Sequence, residues 1–143
     1  NPEKVMEGVS RALKKGGRFV AETGCKGNVR KIENAIFETV EKYNMKAKKC
    51  WFFPTPEEKT ELLEKYGLKV KRMISFPRPT LLPTGIKGWL QTFSAPILVN
   101  IPVELHEKLI DEITEKLENE LEKNENGQIL ADYIRLRFEA VKE

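Results

Sequence analysis

The segment Lys14 to Gly24, KKGGRFVAETG, constrains the fold more than any other, because it passes from a helix into an apolar strand through a two-glycine turn. Upstream of it, Asn1 and Pro2 form an N-cap and first-turn pair, and Val5, Val9, Ala12 and Leu13 line one helical face. Gly16 and Gly17 end that helix, and Phe19, Val20 and Ala21 begin the apolar run. A short loop from helix into buried strand is the helix-to-strand step of an α/β domain. A strand of this kind normally lies in the middle of a larger sheet, so the chain reads as the back half of a fold.

The remaining pattern extends this reading. Asn28 is placed to cap a helix running to about Tyr43, whose Val29, Ile32, Ile36 and Val40 recur at three- and four-residue spacings. Thr55-Pro56-Glu57-Glu58 combines an N-cap, a first-turn proline and a glutamate at the third helical position. It opens a second helix with Leu62, Leu63 and Tyr66 on its apolar face and Gly67 as its stop. A strand follows at once, with Leu68, Val70, Arg72, Ile74 and Phe76 expected on one face, Lys69, Lys71, Met73 and Ser75 on the other, and an end at Pro77. A third alternating run spans Ile129 to Val141, with Ile134, Leu136, Phe138 and Ala140 opposed to Tyr133, Arg135, Arg137 and Glu139. Three strands in all are expected.

Residues 77–128 stand between the last two strands as an insertion of different character. Pro77, Pro79 and Pro83 make an extended entry, a short helix from Thr84 presents Ile86, Trp89, Leu90 and Phe93, and Pro96 closes it. A long helix from Pro102 repeats Leu105, Leu109, Ile113, Leu117 and Leu121 every four residues before the turn Asn124 to Gly127. That four-residue stripe drifts off a heptad seam and argues against a coiled coil.

Composition bounds the rest. A chain of 143 residues with 40% apolar content is the size of one domain, here 1–143. No apolar run nears the ~18 residues of a membrane span, and no signal-peptide core opens the chain. An initial Asn is expected of a piece cut or processed from a longer chain. Cys25 and Cys50 lack metal-ligand spacing and His106 is far from both in sequence, so no metal site and a reduced, cytoplasmic protein are expected. A net charge of +3 is too balanced for a polyanion-binding surface, and despite the cluster of Lys46, Lys48 and Lys49 no nucleic acid partner is expected.

The order of these elements, with "lkpGGrfv"-like residues before the first strand, FPTPEE…ELLEKYGL, FPRPT, GIKGWLQTF and the terminal ADYIRLRFEAVK, resembles the C-terminal half of a class I S-adenosylmethionine-dependent methyltransferase. More narrowly, it resembles the trans-aconitate methyltransferase-like branch. The resemblance implies a partial Rossmann-like α/β fold: a three-stranded mixed sheet corresponding to family strands 5-7-6, the last strand antiparallel in the middle, with flanking helices. It also implies a parent enzyme that uses S-adenosylmethionine and a small-molecule methyl acceptor, and a missing N-terminal half of the same domain. The glycine-rich GxGxG turn and the acidic residue that hold the cofactor in that family are absent. Gly24-Cys25-Lys26-Gly27 follows the wrong strand, so the fragment is expected to bind no cofactor and to be inactive alone.

Under that topology, Gly24 to Asn28 and the insertion from Pro77 emerge on the carboxyl edge of parallel strands, where open α/β sheets bind ligands. The insertion is then a lid, and Trp51, Arg78, Trp89 and Phe93 are the candidate substrate-binding residues. Each has a plainer reading: Trp89 and Phe93 as helix packing, Trp51 with Phe52 and Phe53 as core, and Arg78 as an exposed loop charge. Cys25 is read as an ordinary small residue, His106 as solvent-facing, and no catalytic side chain is assigned. The apolar edge near Phe19 would lack a partner strand and favour self-association. The alternative to a methyltransferase is a non-catalytic binding or interaction domain with a truncated methyltransferase-like fold.

Overall fold

The computed structural model describes every residue from Asn1 to Glu143. The chain forms two compact units, the first of residues 1–28, 52–78 and 134–143, the second of residues 29–51 and 79–133.

The first unit is a three-stranded sheet with helices on one face. Its elements are α1 (Pro2–Ala12), β1 (Arg18–Gly24), α3 (Pro56–Lys65), β2 (Leu68–Pro77) and β5 (Ile134–Lys142). The strand order is β1-β5-β2, with β5 antiparallel to both neighbours. β1 and β2 therefore run in the same direction with the last strand reversed between them, the arrangement that the family resemblance implies.

Local chemistry explains each boundary. Asn1 Oδ1 accepts from the amides of Glu3 and Lys4 and caps α1. At the other end, Lys142 Nζ donates to the carbonyls of Ser10 and Leu13 and serves the free acceptors of the last turn. Gly16, with φ of +78°, makes the turn, and its amide donates to Lys142 O at 2.8 Å while Lys142 N donates to Gly17 O at 2.9 Å. α3 has the capping box in full: Glu58 N donates to Thr55 Oγ1 at 3.2 Å and Thr55 N to Glu58 Oε2 at 2.8 Å.

The covered sheet face carries the core. Met6, Leu63, Leu68, Phe138 and Ala140 are buried together, with Phe19, Ala21, Val70 and Met73 packed against them. Phe19 meets Phe138 edge to face at 5.2 Å, and the Lys59 ammonium lies 5.1 Å over the same ring. Lys59 is buried to 5% exposure, and that burial pushes its pKa below the ordinary lysine value.

One strand departs from the expected phase. Val70 pairs with Ala140 and Arg72 with Glu139, so Lys71 is bulged out of the ladder. Beyond the bulge the faces exchange: Met73 joins the core opposite Phe138, whereas Arg72, Ile74 and Phe76 turn to the uncovered face. The uniform alternation read from Leu68 to Phe76 is thus corrected.

The second unit contains α2 (Arg30–Lys42), α4 (Gly85–Phe93), a 3₁₀ turn (Val103–Leu105), α5 (His106–Glu120) and a two-stranded ribbon of β3 (Thr80–Leu81) and β4 (Leu130–Ala131). The ribbon is a fourth and fifth strand not expected from the sequence. It separates Leu130 and Ala131 from the terminal strand, which begins at Ile134 rather than Ile129. Ile32, Ile36 and Val40 of α2 and Leu109, Ile113 and Leu117 of α5 are buried, as their spacing requires. Tyr43 Oη and Lys42 Nζ both donate to the Glu112 carboxylate, at 2.8 and 3.1 Å.

Two capping and exposure expectations are corrected. Asn28 does not cap α2. That helix starts after Val29 in a left-handed conformation, φ 49°, and its exposed Lys31 amide donates 2.8 Å to Asp132 Oδ2. Burial raises the Asp132 pKa despite that amide. His106 is half-buried rather than solvent-facing, and its Nε2 lies 3.0 Å from Ile101 O, an oxygen that only accepts, so this nitrogen carries the proton.

Thr55→Ala removes one leg of the capping box and is expected to lower stability by about 1 kcal/mol. Leu63→Ala, at a site with 0% exposure, is expected to cost about 2–5 kcal/mol. Chemical denaturation of both variants checks the ranking; a Thr55 effect equal to that of Leu63 would contradict it.

Candidate functional site

Because β1 and β2 share a direction, their carboxyl ends Gly24 and Pro77 lie on one edge of the sheet, opposite Arg135 and Ile134 at the start of β5. The loop leaving β1 is fastened there. Cys25 N donates to Ile134 O at 2.9 Å, Lys26 N to Pro54 O at 3.0 Å, and Asn28 Oδ1 accepts from Ile134 N at 3.0 Å. Asn28, 5% exposed, is thus a brace between the loop and the terminal strand. Gly24 is required by space, since a Cβ there would lie 2.4 Å from the Phe53 ring. Cys25 is buried and Cys50 exposed, both as free thiols.

Just inside this edge, on the uncovered face, one carboxylate gathers three guanidiniums. Glu22 Oε1 accepts from Arg78 Nη1 at 2.6 Å and Arg135 Nε at 3.2 Å; Oε2 accepts from Arg137 Nε at 3.0 Å and Nη2 at 2.7 Å. The Arg137 hydrogen bonds are the main reason that the Glu22 carboxyl is held at about 2 against an ordinary 4.5, with Arg78 and Arg135 adding to them. Arg137 also lies 5.0 Å over the Phe76 ring.

The second unit brings three of the four candidate substrate residues together. Trp51 meets Trp89 edge to face at 5.8 Å, and Trp89 meets Phe93 at 5.0 Å. Trp89 is anchored by its indole N–H, which donates to Tyr133 Oη at 2.7 Å. The cluster has a buried centre and an open end: Trp89 is 7% exposed and Phe93 47%. Arg78, the fourth candidate, belongs to the first unit and is engaged by Glu22.

Sequence reasoning did not single out Glu22, Arg135, Arg137 or Tyr133. The available signal was the alternation of Arg135 and Arg137 along the terminal strand, which puts them on one side of it, with Tyr133 just before its start. Nowhere do three His, Cys, Asp or Glu side chains converge to hold a metal ion. No helix is long and apolar enough to cross a membrane.

No protein-family model matches the chain. An uncharacterized methyltransferase of Schizosaccharomyces pombe is 35% identical over 147 residues, an alignment covering 97% of this chain and 55% of that protein. The chain therefore spans about half the length of the curated relative it matches. Among solved structures, that of a protein assigned as a methyltransferase from Bacillus halodurans C-125 aligns with a TM-score of 0.53 at 16% identity, covering 99% of this chain and 63% of the other. The YcgJ protein from Bacillus subtilis aligns with a TM-score of 0.49 at 14% identity, covering 100% and 58%. The sequence similarity is to part of a methyltransferase. The similarity to the first of these structures concerns the fold: an α/β domain with a small mixed sheet and flanking helices, corresponding to part of a methyltransferase fold.

The Glu22 cluster makes a pH-dependent contribution to stability. Its folded-state pKa is depressed, so the contribution is present above about 4.5 and is lost as pH falls toward about 2. Glu22→Gln is expected to be less stable than the parent at pH 7 and to converge with it near the bottom of that window. Denaturant midpoints across the range check this; a gap that stays constant with pH would refute it.

Proposed function

We propose that this chain is the C-terminal, substrate-side part of an S-adenosylmethionine-dependent methyltransferase acting on a small molecule, of the trans-aconitate methyltransferase-like branch. The observation that carries the reading is the β1-β5-β2 sheet, a reversed last strand between two codirectional ones. The identity to a named methyltransferase agrees with it. In this reading residues 77–128 act as a lid. Trp51, Trp89 and Phe93 contact the acceptor, with Trp89 held in one orientation by Tyr133. Two free thiols fit a reducing, cytoplasmic setting. The chemistry needs chiefly an in-line approach of acceptor to the sulfonium methyl and exclusion of water.

The residues present do not fit the cofactor itself. At the loop after β1 the amides of Cys25, Lys26 and Asn28 are spent on Ile134 O, Pro54 O and Cys25 O, and Phe53 fills the space at Gly24. No glycine-rich cradle is left there for a carboxylate or ribose. The fragment alone is therefore assigned no methyl transfer, and its partner is the remaining half of the same domain, pairing along β1. The second reading, a binding domain with a truncated methyltransferase-like fold, is favoured by the same spent loop.

Two measurements test the proposal. Calorimetry of this chain with S-adenosylmethionine is expected to give no measurable heat, and an affinity of about 1–10 μM would overturn the inactive-fragment reading. The coding sequence 5′ of the Asn1 codon is expected to encode a strand followed by a GxGxG turn. A stop codon or an unrelated domain there would leave the binding-domain reading.

A further inference from the structure

We infer that the uncovered face of the first unit's sheet is a docking surface for an acidic, amphipathic polypeptide segment in helical form. The register lays out this face row by row. Val20 of β1, Glu139 of β5 and Arg72 of β2 form one row, and Glu22, Arg137 and Ile74 form the next. Arg18 and Lys69 flank the first row on one side, and Arg135 flanks the second on the other. Its carboxylates are Glu22, Glu139, which pairs with Arg18 at 3.6 Å, and Glu143, which pairs with Lys69 at 3.4 Å; against them stand Arg18, Lys69, Arg72, Arg135 and Arg137, four of them arginines that stay charged at any working pH.

Two apolar side chains stand open among these charges. Val20 is 61% exposed and Ile74 51%, although both belong to strands whose other face is core. They lie two strands apart and one row out of step. With strands about 4.8 Å apart and about 3.4 Å per residue along them, that puts them roughly 12 Å from each other. Two turns of an α-helix rise about 11 Å. A helix laid obliquely over the face can thus set apolar side chains at positions i and i+7 onto Val20 and Ile74 while one flanking carboxylate reaches Arg72 and another shares Arg18 with Glu139.

The same details decide against other occupants. A phosphate backbone would meet the carboxylates of Glu22 and Glu139 inside the patch and would leave Val20 and Ile74 without apolar cover. A second copy using the same face would bring like charge against like. The surface is independent of the β1 edge and of methyl transfer, so failure of either reading can be told from failure of this one.

The test uses fluorescence anisotropy with a labelled 18-residue helix-forming peptide carrying leucine at i and i+7 and flanking glutamates. Controls are the same peptide with lysines for glutamates and a single-stranded oligothymidylate of matched charge. Saturable binding of the acidic peptide is expected, weakened at least tenfold by charge reversal and by raising the salt concentration. Val20→Ser combined with Ile74→Ser, and separately Arg72→Glu, are each expected to weaken it about tenfold or more. All three sites are exposed, and unchanged circular dichroism confirms the fold in each variant. No binding of the acidic peptide, binding indifferent to these substitutions, tighter binding of the oligothymidylate, or a concentration-dependent dimer abolished by the Val20 and Ile74 changes would each overturn the proposal.

Discussion

The first unit depends on the return of its last strand. β1 and β2 share no hydrogen bonds with each other; each pairs only with β5, so without residues 134–142 there are two isolated strands and no sheet. β5 also supplies Phe138 and Ala140 to the centre of the core and, through Lys142, the cap that closes α1. Arg18 pairs with Val141, near the opposite ends of the chain. Closing so large a loop must precede the contacts that reward it, which makes this unit non-local in its folding even though its helices are locally well punctuated.

Local punctuation was legible because its causes are local. The Thr55 box, the Asn1 cap and the period-two pattern of β5 each involve residues a few positions apart, and they stand where the sequence places them. What was not legible has causes far away in the chain. The Asn28 side chain answers to Ile134, and the cap of α2 comes from Asp132; both partners are about a hundred residues distant. The ribbon of β3 and β4 is only two residues per strand, too short for a periodic signal. In the candidate site, the i, i+4 spacing of Trp89 and Phe93 foretold one contact, whereas their joining by Trp51 and Tyr133 needed the tertiary fold.

Glu22 shows how a single acidic residue can organise a strand edge. Three arginines of like charge on neighbouring positions would repel one another, and one carboxylate with both oxygens doubly engaged fixes their orientation. The exposed arginines limit its energetic weight through solvent screening. Its structural consequence is geometric: the guanidiniums of β5 and of the chain after β2 are tied to β1 at the edge where the codirectional strands end.

The bulge at Lys71 is the least economical feature of the sheet, and therefore an informative one. Without it, the regular alternation would carry Ile74 and Phe76 into the core, where burying each large apolar side chain contributes about 1.5–3 kcal/mol. With it, Met73 takes the place opposite Phe138, Phe76 lies under Arg137, and Ile74 is left half in water. The same alternation would also carry Arg72 onto the core face opposite Phe138, and burying an unpaired guanidinium costs more than two apolar side chains gain, so the exchange has a cause within this unit. Covering the arginine-bearing face would favour it further, because Ile74 and Val20 then regain apolar contact. The same bulge that breaks the sequence pattern is thus what furnishes the face with both of the properties a second layer would need.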